Sequence, residues 1–102
     1  MAILAIFTGD GGLTKDMYDN MRNEIGWEKN PPKGAIFHAA SFDDKGVIRV
    51  ADVWNSAEEM NAFATANLMP IFQKYKVNPP KVDIYPVHNI DATSAVEQYI
   101  NK

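Results

Sequence analysis

Residues 34–63, GAIFHAASFDDKGVIRVADVWNSAEEMNAF, decide the fold. They read as a strand, a tight turn, a second strand, and a helix that begins almost at once. Asp43-Asp44-Lys45-Gly46 places Asp first and Gly fourth, the pattern of a type I turn followed by a left-handed residue. A three-residue hairpin loop of this kind, with its glycine bulge, fixes which residues face each other. With Asp43 opposite Val47, Phe42 pairs with Ile48, Ala40 with Val50, His38 with Asp52 and Ile36 with Trp54. Directly opposite residues share a face of the sheet. The register therefore gathers His38, Asp52 and Trp54 among apolar neighbours, and that cluster is the candidate site.

Working outward, Ser56-Ala57-Glu58-Glu59 is a capping box that starts the following helix. Met60, Phe63, Ala64, Leu68, Ile71 and Phe72 line one face of it, and Pro70 predicts a kink or break near Asn67 to Met69. On the N-terminal side, Ala2 to Phe7 is a continuous apolar run, as expected of a central strand. The loop Thr8-Gly9-Asp10-Gly11-Gly12-Leu13 reads as a connector rather than a phosphate cradle. The third glycine of a dinucleotide pattern would fall at Thr14, and Asp10 would repel phosphate. Thr14 then caps a first helix whose buried stripe is Met17, Tyr18, Met21 and Ile25, with Gly26 near its end and Trp27 as a hydrophobic cap.

Two double-proline loops, at Pro31-Pro32 and Pro79-Pro80, deliver the chain to strands in extended form. The last strand spans Lys81 to His88, and Pro86 argues for a sheet edge. Beyond it, Ser94 and Glu97 form a second potential capping box for a short helix. A helix of that length is not stable alone, so it must dock on the domain or on a partner.

The resulting order is βαββαβ, the split ferredoxin-like pattern of an α+β protein with a four-stranded antiparallel sheet. The domain runs over residues 1–90, and 91–102 is a C-terminal tail. Helices cover one face of the sheet. On the other, Ala35, Phe37, Ala39, Val47, Ala51 and Val53 form an apolar patch too large for a soluble monomer. Packing against a second copy solves this, so a homodimer is expected.

Composition narrows the partners. The net charge of -3, with its basic residues scattered, argues against a nucleic-acid surface. The apolar start is far too short to span a membrane. With no cysteine, thiolate catalysis and thiolate metal sites are excluded, in agreement with a reducing cytoplasm.

The stretch Val50-Ala51-Asp52-Val53-Trp54-Asn55-Ser56, followed by Glu59, Met60 and Phe63, resembles the dimeric α+β-barrel superfamily, and in particular its antibiotic-biosynthesis-monooxygenase-like branch. The resemblance implies a homodimer whose sheets form a barrel, with one pocket per subunit between sheet and helices. It also implies a choice of chemistries, among them oxygenation of aromatic phenols without metal or flavin, haem degradation and isomerisation, and it includes proteins of no known activity. Haem-degrading members carry a helix Trp nine residues after the motif Trp and a haem-ligating His ten residues further on. Those positions are Phe63 and Gln73 here, so the resemblance does not extend to a haem site and no cofactor is expected.

The chemistry that remains centres on His38. An Asp beside a His holds its tautomer and raises its basicity, as a general base requires. His38 and Asp52 are accordingly the candidate catalytic pair. Trp54, with Tyr18, Met21, Met60 and Phe63 from the helices, would wall a site for a flat apolar or aromatic ligand. Two histidines and no cysteine make a protein-built metal site unexpected. Two readings stand. One is a cofactor-independent oxygenase or isomerase acting on a small aromatic or enolisable substrate. The other is a non-catalytic homodimer that binds a small ligand or serves as an interaction module, with His38 and Asp52 a structural pair. A roomy pocket reaching His38 would favour the first.

Overall fold

The hairpin turn forms as its residues dictate. In a computed structural model describing residues 1–100, the Gly46 N–H donates to the Asp43 carbonyl and the Asp43 N–H to the Val47 carbonyl. Gly46 sits at φ +80°, where a side chain would be strained. Asp43 Oδ1 also accepts from the Lys45 and Val47 amides, so the loop supplies its own hydrogen bonds. The strands it joins, β2 (Ala35–Phe42) and β3 (Ile48–Trp54), pair antiparallel with Phe42 opposite Ile48, Ala40 opposite Val50 and His38 opposite Asp52.

One pair of the expected register is corrected. Ala35, not Ile36, lies opposite Trp54, because the ladder shifts between Ala35 and Phe37. A bulge places two residues of one strand against one of its partner, and Ile36 is the extra residue. Ala35 consequently leaves the outer apolar patch and packs on the core with Trp54.

The remaining strands, β1 (Ile3–Thr8) and β4 (Lys81–Pro86), complete a sheet of order β2-β3-β1-β4. All neighbouring pairs are antiparallel, with β1 central and β4 at an edge. The fold is α+β and ferredoxin-like. Helix α1 (Lys15–Ile25) begins where the Met17 N–H donates to Thr14 Oγ1, and it ends at Gly26 in the left-handed region. Helix α2 (Ala57–Phe63) starts at the capping box: Ser56 Oγ accepts from the Glu59 N–H and donates to Glu59 Oε1. Gly34 holds φ +86°, and a Cβ there would lie 2.6 Å from that Glu59 carboxylate. The turn into β2 and the cap of α2 therefore need each other's shape.

Pro70 does not break the helix at 67–69. Residues 57–75 run on through a π-helical segment, Ala64–Leu68, into α3 (Met69–Tyr75). Proline has no N–H for the Ala66 carbonyl and its ring crowds that oxygen. The helix widens by one residue per turn instead, and the Met69 N–H reaches back to the Ala64 carbonyl.

The tail also departs from expectation. Ser94–Tyr99 is a 3-10 helix with Thr93 at its N-cap position and no side-chain cap, so the Ser94/Glu97 capping box does not form. The end of the tail, Asn101 and Lys102, lies outside the described residues. No helix of the described residues is long and apolar enough to cross a membrane.

Candidate functional site

The core beneath the helices is small: Ile3, Ala5, Trp54 and Met60, with Phe7, Trp27, Ala35 and Phe63 packed against them. Asp52 is the buried polar residue among the described positions, and every oxygen it presents is used. Oδ2 accepts from Trp54 Nε1–H at 3.1 Å, and Oδ1 accepts from His38 Nδ1–H at 2.6 Å. A carboxylate can only accept here, so the imidazole carries its proton on Nδ1 and leaves Nε2 as the acceptor. Tyr18, from α1, fills that position, its O–H donating to Nε2 at 2.6 Å. The four side chains form one chain of hydrogen bonds, Tyr18 to His38 to Asp52, with Trp54 closing the far end.

Rings hold the chain in place. The Tyr18 and His38 rings are nearly parallel, with 11° between their planes, and meet end to end through the hydroxyl, while Tyr18 packs edge to face with Phe42. Trp27 packs tilted against His38 with ring centres 5.2 Å apart and meets Trp54 and Phe63 edge to face. Edge-to-face contacts at these separations suit the aromatic quadrupole and limit ring motion. Burial pushes the Tyr18 phenol up to about 12, so it is protonated throughout the neutral range and donates to His38.

A cavity of about 820 Å³ opens between the sheet and the helices, within the range of small-molecule sites. Tyr18, Met21, Trp27, His38, Asp52 and Phe63 stand in its wall. Val96, Tyr99 and Ile100 of the tail line it as well, which answers where the short terminal helix docks. The hairpin register thus brings His38 and Asp52 together, and α1 and α2 bring Tyr18, Met21 and Phe63 to the same space. Trp54 and Met60 are placed differently. They are 1% and 4% exposed and lie behind the wall, Trp54 covered by Trp27 and Phe63.

Sequence reasoning overlooked Trp27, which walls the site where a simple cap was expected. Its signal was its place just after the helix-ending Gly26, whose left-handed turn brings the chain back over the sheet. It also overlooked the bond from Tyr18 to His38, since periodicity puts Tyr18 on the buried face without saying which group it meets. The glycine-rich loop uses its own donors, with Asp10 Oδ1 accepting from the Gly12 N–H, and this agrees with a connector. His88 is exposed. Arg49 projects from the opposite sheet face and pairs with Asp43 at the hairpin turn.

This fold, a four-stranded antiparallel ferredoxin-like sheet with helices, is found in solved structures. The chain is similar to a conserved protein from Methanosarcina mazei Go1 at 13% identity and a TM-score of 0.63, over 83% of this chain and 91% of that one. An antibiotic-biosynthesis-monooxygenase-like protein from Deinococcus radiodurans matches at 12% identity and 0.59, covering 91% and 98%. SnoaB, a cofactor-independent oxygenase from Streptomyces nogalater, matches at 11% identity and 0.58, covering 87% and 93%. At these identities the shared property is the fold, that of antibiotic-biosynthesis-monooxygenase-like proteins. No protein-family model matches the chain, and no curated protein does.

Proposed function

We propose that this protein is a cofactor-independent oxygenase or isomerase that takes a small aromatic or enolisable molecule into its cavity. Both reactions begin by removing a proton from an acidic O–H or C–H. His38 would accept that proton, with Asp52 holding the tautomer and stabilising the imidazolium. The observation that carries this reading is the roughly 820 Å³ of open space reaching a His–Asp pair. A pair serving the core alone would leave the space between sheet and helices filled. Oxygenase chemistry without a cofactor in SnoaB, on the same fold, supports the choice of reaction class.

Binding is the first test. Phenols and quinones are expected to raise the melting temperature in a thermal-shift screen, since a ligand that binds only the native state stabilises it by mass action. If no aromatic ligand shifts the transition at millimolar concentration, the cavity reading fails.

The working form is proposed to be a homodimer in the cytoplasm, a placement that suits a chain without cysteine. Phe37 and Tyr85 are 40% and 52% exposed and share with Val53 the sheet face turned away from His38 and Asp52, where a second copy would cover them. Sedimentation is expected to give a dimer at micromolar concentration, and a monomer there would refute the assembly.

A further inference from the structure

The geometry points to Tyr18 as the group that meets the ligand's proton, relaying it to His38 without becoming charged itself. The inference rests on the reading of His38 as the proton acceptor and adds how the proton arrives. Both imidazole nitrogens are already occupied, Nδ1 by Asp52 Oδ1 and Nε2 by the Tyr18 hydroxyl, each at 2.6 Å. A ligand hydroxyl cannot reach Nε2 unless Tyr18 leaves, and Tyr18 is held by its 2.6 Å bond to His38 and its edge-to-face contact with Phe42. Its hydroxyl oxygen has a second lone pair, and the residue stands in the cavity wall.

The step balances within the site. The ligand O–H bond breaks and its electron pair stays on the ligand oxygen, forming a phenolate or enolate. That proton bonds to Tyr18 Oη while the proton Tyr18 held passes to His38 Nε2. Tyr18 ends as a neutral phenol and His38 as an imidazolium whose Nδ1–H still donates to Asp52. The two transfers are coupled, because a phenol pushed up to about 12 does not lose its proton beforehand at neutral pH. The ligand class this selects is one with an acidic hydroxyl, a phenol or an enol, in preference to a bare hydrocarbon.

The test uses 4-nitrophenol, whose phenolate absorbs visible light, bound to the full chain at a pH below the probe's own pKa. The wild-type complex is expected to show the phenolate band. Tyr18→Phe keeps the ring that walls the cavity, and it should bind the probe with the phenolate-to-phenol ratio lowered about tenfold or more, the equivalent of one pKa unit. His38→Asn should lose the band as well. A Tyr18→Phe complex that still ionises the probe, with the probe oxygen on His38 Nε2 in a crystal structure of the wild-type complex, would overturn the relay and leave His38 as a direct acceptor. A His38→Asn complex that still ionises it, or a wild type that binds without ionising it or does not bind, would overturn both. If Tyr18→Phe does not fold, a crystal structure of the wild-type complex decides. The probe oxygen within hydrogen-bond distance of Tyr18 Oη supports the relay, and contact with His38 Nε2 with Tyr18 swung away overturns it.

Discussion

Replacing His38 with alanine is expected to lower turnover on a responsive substrate by about a hundredfold or more, the usual contribution of a positioned acid–base group. His38→Asn should be nearly as damaging despite keeping most of the volume, since an amide cannot accept and hold the proton. Asp52→Asn should also reduce turnover, and the geometry shows how. Asp52 receives two donors, Trp54 Nε1–H on one oxygen and His38 Nδ1–H on the other. An Asn side chain has one oxygen to offer. If it serves Trp54, its NH2 faces Nδ1 and drives the imidazole to the other tautomer, whose Nε2–H then opposes the Tyr18 hydroxyl.

The structural alternative gives a different pattern. His38→Ala and Asp52→Ala would each cost about 1–3 kcal/mol of stability through an unsatisfied buried partner, and the double variant would recover much of it. Ligand binding and activity would survive in the folded fraction. A double-mutant cycle on stability, run beside an activity assay, separates the two. Strong stability coupling with intact turnover would mean that the pair is a core hydrogen bond and not a proton acceptor.

The part of this site legible in the sequence is the part a short-range rule controls. One turn, Asp43 to Gly46, sets the register that puts His38 opposite Asp52, and Ser56 with Glu59 sets where α2 begins. Where two effects compete, the reading fails. Alternation carried past Phe37 predicts Ile36 opposite Trp54, but the strand enters from Gly34 at φ +86° with Glu59 packed against it, and the bulge at Ile36 absorbs the mismatch. At Pro70 a break and a widened turn both relieve the missing donor. Nothing local to the proline chooses between them, while the apolar positions on both sides, Phe63, Leu68 and Phe72, all line the cavity and are kept on one continuous helix. The Tyr18–His38 bond joins residues twenty apart on different elements. It depends on how α1 lies across the sheet, a tertiary property that no window of sequence contains.

Trp54→Ala should be the most destabilising single change in the site, at about 3–5 kcal/mol. The indole is 1% exposed, packs with Ile3, Ala5 and Met60, and contacts Trp27 and Phe63 on its outer side. Removing it leaves a void under the cavity wall and takes a donor from Asp52. Against a total stability of the order of 5–15 kcal/mol for a domain of this size, the loss is large enough to leave part of the chain unfolded. Trp54→Phe separates the two roles. It retains most of the packing but leaves Asp52 Oδ2 without its donor in a buried position, which should cost about 1–3 kcal/mol. Urea unfolding measures both, with an unchanged slope showing that the native state keeps its compactness. Ligand affinity distinguishes a wall residue from a support. Trp54 lies behind Trp27, so Trp54→Phe should leave the affinity for a neutral aromatic ligand intact while lowering turnover through a loosened Asp52. A large loss of affinity with turnover unchanged would mean instead that Trp27 moves aside and the ligand packs on Trp54 directly.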